Sequence, residues 1–224
     1  MSDEGVRADA ERDVPDDPDA AERDVPDDPD AAERDVPDDV PHWDDEYVDR
    51  VSDRLMFNYD LERDYRVDAE SFDLYGHLEI HTQKKFFHPA ITYGHHESYE
   101  HLFLRRADGV RVATLERLVA LATDLADRWI EADEEHYATE FTFVVVVPEI
   151  PDDVREFVAS FTDRTMLKYG YNGYYETHLA VVAPDEEDVV TSKRADVADA
   201  LTVWEPIDAA PPGPLERLKR RLLG

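Results

Sequence analysis

The chain has 224 residues, with 55 Asp and Glu against 24 Lys and Arg, for a formal net charge of -31. It has no cysteine, which excludes disulfides, zinc–thiolate sites, iron–sulfur clusters and thiol nucleophiles. Its longest apolar run, around Phe143–Val147, falls far short of the ~18 residues that span a bilayer. The first residues also lack the basic and apolar regions of a secretory signal, so a soluble, cytoplasmic protein is expected.

Residues 1–40 hold 17 acids and 4 bases, so -13 of the charge sits there and -18 on the remaining 184 residues. A domain at -18 repels itself in dilute buffer. Molar salt shortens the screening length to roughly 3 Å and removes most of that repulsion. Only five of the 24 basic residues are lysine, and Asp outnumbers Glu. The pattern reads as adaptation to a salt-filled cytoplasm. Negative surface is then the default here and marks no docking site.

Three near-identical copies of an acidic undecapeptide come first: Ala10–Ala20, Ala21–Ala31 and Ala32–Pro41, each opening Ala-Glu-Arg-Asp-Val-Pro-Asp-Asp. A period of 11 in a continuous helix gives a right-handed supercoil, but two prolines in each full repeat forbid the helix. With almost no large apolar side chains to offset ordering entropy, residues 1–41 are expected to be a disordered acidic tail. A ligand peptide for a partner is the alternative.

A globular domain is expected over residues 42–205. Tyr47, Val48, Val51 and Leu55 recur at helical spacing, which predicts an amphipathic helix over Asp44–Phe57 with acids at its positive end. Phe72–Gln83 alternates as a half-buried strand, with Phe72, Leu74, Leu78 and Ile80 on one side and Asp73, Tyr75, His77, Glu79 and His81 on the other. Phe86–Tyr93 and Tyr99–Arg105 read as two further strands, though the second also fits a helix start. After the Asp108-Gly109 turn, Leu115, Leu118, Val119, Ala122, Leu125, Ala126 and Trp129 line a helix from about Thr114 to Ala132. Phe141–Pro148, with four consecutive valines, predicts a central strand covered on both faces.

Pro151 opens a short helix to Phe161 in the favoured first-turn position. Asn172-Gly173 signals a hairpin joining Thr165–Tyr171 to Tyr174–Ala183, with Tyr169 opposite Glu176 and Leu167 opposite His178. A weak helix near Ala195–Leu201, a linker over 206–214 and a basic amphipathic helix over 215–224 complete the chain. That last helix can fold back on the protein, dock on a partner or lie on anionic lipid. The order α-β-β-β-α-β-α-β-β predicts a single α+β domain around a mixed sheet.

Six of the nine histidines fall between Tyr75 and Arg106, where Lys84, Lys85, Arg105 and Arg106 outweigh three glutamates to give +1. This local exemption from acidity makes Tyr75, His77, Lys84, Lys85, Arg105 and Arg106 the candidate binding surface for an unidentified protein partner. Two strands also carry Glu-x-His, as Glu79/His81 and Glu176/His178. Spacing of two puts each pair on one face of its strand. If both strands share a sheet face, the four residues suit zinc, manganese or iron, and an open position would permit hydrolysis. A hydrogen-bonded sheet face with paired histidines is the structural alternative.

His95-His96-Glu97-Ser98-Tyr99-Glu100-His101 misses both the zincin spacing and its inverse. The order α-β-β-β-α-β matches the core of the restriction-endonuclease-like fold, but the Glu/Asp-x-Lys triplet its nucleases need is absent. Tyr169–Tyr175 has the rings to stack bases without a positive groove behind them, so nucleic acid is disfavoured. No phosphate-loop, dinucleotide or Gly-x-Ser-x-Gly motif occurs, so no nucleotide cofactor is indicated; the cofactor stays unknown, with a divalent metal among those the composition accommodates.

Asp-Arg-Leu-Met-Phe-Asn-Tyr-Asp-Leu (53–61), Leu-Tyr-Gly-His-Leu-Glu-Ile-His (74–81) and Phe-Val-Val-Val-Val-Pro-Glu-Ile (143–150) resemble a family of haloarchaeal proteins that is a domain of unknown function. The resemblance covers about residues 47–190 and implies halophilic origin and one module, without an activity or a site. The expectation is therefore a non-catalytic binding or adaptor domain. The alternative is a metal-dependent hydrolase or nuclease-like enzyme built on Glu79, His81, Glu176 and His178.

Overall fold

The computed structural model describes residues 41–84, 94–193, 195 and 197–206. The acidic repeats up to residue 40, the strand expected over Phe86–Tyr93, all but the first residue of the linker and the basic C-terminal segment lie outside the described residues. The elements run α1 (Glu46–Leu55), β1 (Asp60–Val67), β2 (Glu70–Lys84), β3 (Gly94–Arg106), α2 (Val112–Trp129), β4 (His136–Val146), α3 (Asp152–Ser160), β5 (Asp163–Met166), β6 (Tyr174–Ala183), β7 (Asp188–Thr191) and α4 (Ala198–Leu201). They form the expected α+β architecture, one mixed sheet with helices packed on it.

β1, β2 and β3 make an antiparallel meander. The crossovers through α2 and α3 then lay β4 and β6 parallel to β3, as parallel pairing requires a long connection. β5 and β7 share the outer edge of β6, each antiparallel to it. Alternation along the strands sorts the core into two layers. One packs Phe103, Phe141, Phe143, Val145, Leu179 and Val181 under α2 and α3. The other packs Leu102, Leu104, Val144, Val146, Ala180 and Val182 under α1 and α4. With helices on both sides, every β4 residue except Tyr137 is buried, which is why four valines can follow one another there.

α1 forms where its spacing predicts, and Asp45 starts it by accepting a 3.0 Å hydrogen bond from the Val48 N–H. Three departures have identifiable causes. β1 was not foreseen: Asp-Leu-Glu-Arg-Asp-Tyr-Arg-Val buries only Val67, because an edge strand can carry charge on most of its positions. Phe72 does not share a face with Leu74, Leu78 and Ile80. Its ring packs 5.0 Å from Phe103 in the α2/α3 layer, while Leu74 lies in the other layer. The alternation breaks at Asp73, whose carboxylate accepts the Arg106 N–H and whose carbonyl accepts the Trp43 indole N–H.

The third departure is the hairpin. β5 and β6 pair, but Arg164 stands opposite Glu176 and Thr165 opposite Tyr175. The predicted partners Tyr169 and Leu167 instead lie in a 3₁₀ turn over Leu167–Gly170, where Lys168 and Tyr169 take positive φ. Asn172-Gly173 is therefore the end of a longer loop. The Asn172 side chain donates to the Ala132 carbonyl, 2.8 Å away, so its bonding ties the loop to the α2–β4 connection.

Candidate functional site

β2 has 15 residues and β3 has 13, so at ~3.4 Å per residue they extend over ~45–50 Å. The 18 residues of α2 cover only ~27 Å at 1.5 Å each. Beyond Trp129 no helix among the described residues covers this sheet face, and a cleft of about 680 Å³ opens there. Its size lies in the range of small-molecule sites.

Tyr75 and His77 from β2, Tyr99 and His101 from β3, and Thr139 from β4 form its floor. Register explains the grouping: His77 pairs with His101 and His101 with Phe141, so their side chains project together. The rings stack as a result, His77 on His101 at 5.0 Å between centroids and His101 on Phe141 at 5.3 Å. Tyr65 stacks on Tyr75 at 4.1 Å from the β1 side, and Trp129 closes on His101 at 5.0 Å from the helix side.

Tyr75 Oη lies 2.8 Å from His101 Nδ1. Burial, reinforced by nearby His77, pushes the His101 pKa down to about 3, so the imidazole is neutral near neutral pH. Burial also raises the phenols of Tyr75 and Tyr99, and the hydrogen bond from Tyr99 to Glu97 adds to the second. At the far wall His136 is locked at both nitrogens. Nδ1 is 2.7 Å from the Asn172 carbonyl and must donate to it, leaving Nε2 at 2.9 Å as the acceptor from the Thr139 hydroxyl in the neutral ring. Among the described residues, the charged side chains around the cleft are Asp60, Glu62, Glu97, Glu131 and Asp133, and no Lys or Arg lines it. Faces of aromatic rings beneath a carboxylate rim favour a cation and repel an anion.

The residues singled out from sequence divide into several places. Tyr75 and His77 are in the cleft. Glu79 and His81 lie further along the same face, where His81 is exposed and reaches Glu79 at 3.2 Å and Glu97 at 3.5 Å. Lys84 ends β2 opposite Gly94, and Lys85 is outside the described residues. Arg105 and Arg106 are eleven and twelve residues from Gly94 along β3, ~37–40 Å away. Both are engaged, Arg105 with Glu70 and over the Phe72 ring, Arg106 with Asp45. Lys84 thus stands at the opposite end of the β2–β3 pair from Arg105 and Arg106.

Glu176 and His178 project from the opposite face of the sheet. Glu176 follows Glu140, Glu100 and Leu78 in one cross-strand row, and Leu78 belongs to the α1/α4 layer. β2 and β6 are also three strand spacings apart, ~14 Å. The structure therefore does not bring Glu79 and His81 to Glu176 and His178. It brings Glu140 to them instead, with the three ligand atoms within 4.8 Å of one another. Sequence reading passed over Glu140, Trp129 and His136. For Glu140 the signal was its place: a carboxylate directly ahead of Phe141–Pro148, the run that reads as buried on both faces. The His95–His101 segment forms a strand, so its groups alternate between faces and cannot meet as on a metalloprotease helix.

A family model described as Domain of unknown function (DUF8052) matches residues 44–203. The chain belongs to this family, and the match spans the described fold from the start of α1 to just past α4. No curated protein and no solved structure matches the chain.

Proposed function

We propose that this member of the DUF8052 family is a binding domain whose cleft takes an organic cation with a flat or quaternary head. One observation carries the reading: a floor of Tyr75, His77, Tyr99 and His101 lies under a rim whose charged side chains, among the described residues, are all carboxylates. A desolvated cation over such rings gains about 2 kcal/mol, and the rim supplies attraction at longer range. The neutral state of His101 supports it, because a protonated imidazole in the floor would oppose a cation.

Calorimetric titration with benzyltrimethylammonium, and with phenylacetate as the anion of similar size, tests this on the full chain in molar potassium chloride. The cation is expected to bind and the anion to give no heat. Trp129→Leu, which keeps apolar bulk but removes the ring beside His101, should weaken the cation about tenfold. Equal binding of both probes, no binding by wild type, or an unchanged affinity in the variant would each overturn the reading.

We also propose, from composition, that the domain works in a salt-filled cytoplasm. Its near-ultraviolet circular dichroism should then collapse on dialysis from molar to millimolar potassium chloride, as screening of the -31 charge is withdrawn. A spectrum unchanged at low salt would contradict salt adaptation.

A further inference from the structure

The face of the sheet opposite the cleft carries a second polar cluster. β4 and β6 are parallel with Glu140 opposite Glu176, and His178 is two residues further along β6 on the same face. All three are buried, at 3%, 5% and 3% exposure. His178 Nε2 lies 3.5 Å from Glu140 Oε2 and 3.6 Å from Glu176 Oε2, yet it makes no hydrogen bond among the described residues. A dry imidazole nitrogen aimed between two carboxylates is costly unless something binds there. Four ligands about 2.1 Å from a central ion stand about 3.4 Å apart in a tetrahedron. The observed separations from Nε2 are close to that edge.

Charge points the same way. Two buried carboxylates side by side cost several kcal/mol each in desolvation, on top of their mutual repulsion. Arg164 Nη1 is 3.5 Å from Glu176, with its guanidinium over the Tyr174 ring, and Tyr59 donates a 2.5 Å hydrogen bond to Glu100 in the same row. Those contacts meet part of the row's charge, at Glu176 and at Glu100. A dication held by Glu140, Glu176 and His178, whose ligand atoms lie within 4.8 Å of one another, would offset more of it.

We infer that Glu140, Glu176 and His178 form a divalent metal site, taking zinc or manganese through one imidazole and two carboxylates. An imidazole and carboxylate oxygens without thiolate suit these borderline and harder ions. Three protein ligands leave a position for a fourth donor. The site faces α1 and α4, is separate from the cleft, and does not depend on the cleft binding anything.

The test is equilibrium dialysis of the full, chelator-treated chain against zinc and against manganese, in molar potassium chloride. One ion per chain is expected, with a raised melting temperature. Glu140→Gln and His178→Asn, both near-isosteric, should each weaken binding by more than about a hundredfold, the ceiling for changes outside the ligand set. His81→Ala should leave it unaltered, because His81 lies with Glu79 and Glu97 on the other face. If either ligand variant fails to fold, nitrogen-15 spectra of the wild-type and His81→Ala imidazoles decide. Zinc should shift a single buried ring in both, leaving the other rings in place. No retained metal in wild type, binding that survives both ligand variants, or binding lost in His81→Ala would overturn the site.

Discussion

Gly173→Ala is expected to destabilise the domain by about 4 kcal/mol. Gly173 has φ +75, in the left-handed region, and a Cβ there would stand 2.1 Å from the Tyr137 carbonyl oxygen and 2.6 Å from its carbon. Left-handed backbone costs an ordinary L-residue about 1–2 kcal/mol. Forcing an extra carbon into a packed site adds about 1–3 kcal/mol, and here the neighbour is strand backbone that cannot swing aside. The gain from a stiffer unfolded chain, about 0.4–1 kcal/mol, does not offset this. Gly109→Ala is the matched control, since nothing lies within 4 Å of its added carbon. Urea denaturation at fixed salt should show the first variant with a much lower midpoint and the second near wild type. Equal midpoints would mean that β4 and the loop can separate freely. The consequence reaches the cleft: the Asn172 carbonyl next to Gly173 holds His136, and displacing that loop would release the far wall.

Acid lability from His101 is the second large effect. Its folded pKa of about 3 lies below the ordinary value of 6.5, because burial disfavours the charged ring. Above pH 6.5 the ring is neutral in both states and contributes no pH dependence. As pH falls below 6.5 the unfolded chain takes up a proton that the folded chain refuses, so stability falls by ~1.4 kcal/mol per pH unit until about pH 3. Between pH 7.5 and 5 the loss is on the order of 2 kcal/mol. Carboxylates add their own pH dependence, so the informative quantity is the difference from His101→Phe, which keeps the stacking and cannot titrate. Wild type should lose about 2 kcal/mol more than the variant over that window. Parallel stability curves would show that His101 takes a proton without leaving its place.

This pH behaviour bears on the cleft in a specific way. Over pH 6.5–8 the His101 ring is uncharged, so binding of a cation draws no pH dependence from it. The Tyr75 hydrogen bond to His101 is between neutral groups, and the ring stack from His77 through Phe141 is the structure that keeps the imidazole dry.

Much of the fold follows from short-range pattern. The spacing of Tyr47, Val48, Val51 and Leu55 suffices for α1, the apolar stripe from Leu115 to Trp129 for α2, and the valine run for a strand between two layers, because each period is fixed by backbone geometry. β1 escaped because its pairing with β2 is made by main-chain groups, while its side chains carry an edge strand's charge. The break at Asp73 escaped because one local irregularity exchanges the faces of Phe72 and Leu74 without leaving a mark in an alternating sequence. The hairpin register escaped because Asn172-Gly173 also answers a remote demand, the close passage of Gly173 beside Tyr137.

The sites lie at the limit of what sequence could say. Composition alone determined the acidity and the absence of thiol chemistry, and residue pattern located Tyr75 and His77 on one strand face and Glu176 with His178 on another. Which groups meet was decided by strand order. Placing β3 and β4 between β2 and β6 sent the two Glu-x-His pairs to opposite faces, ranged Tyr99 and His101 beside Tyr75 and His77, and set Glu140 against Glu176. Side-chain period is a property of each strand alone, whereas cross-strand neighbours are set by long-range pairing, which the tertiary structure chooses by burying both faces of the sheet at once.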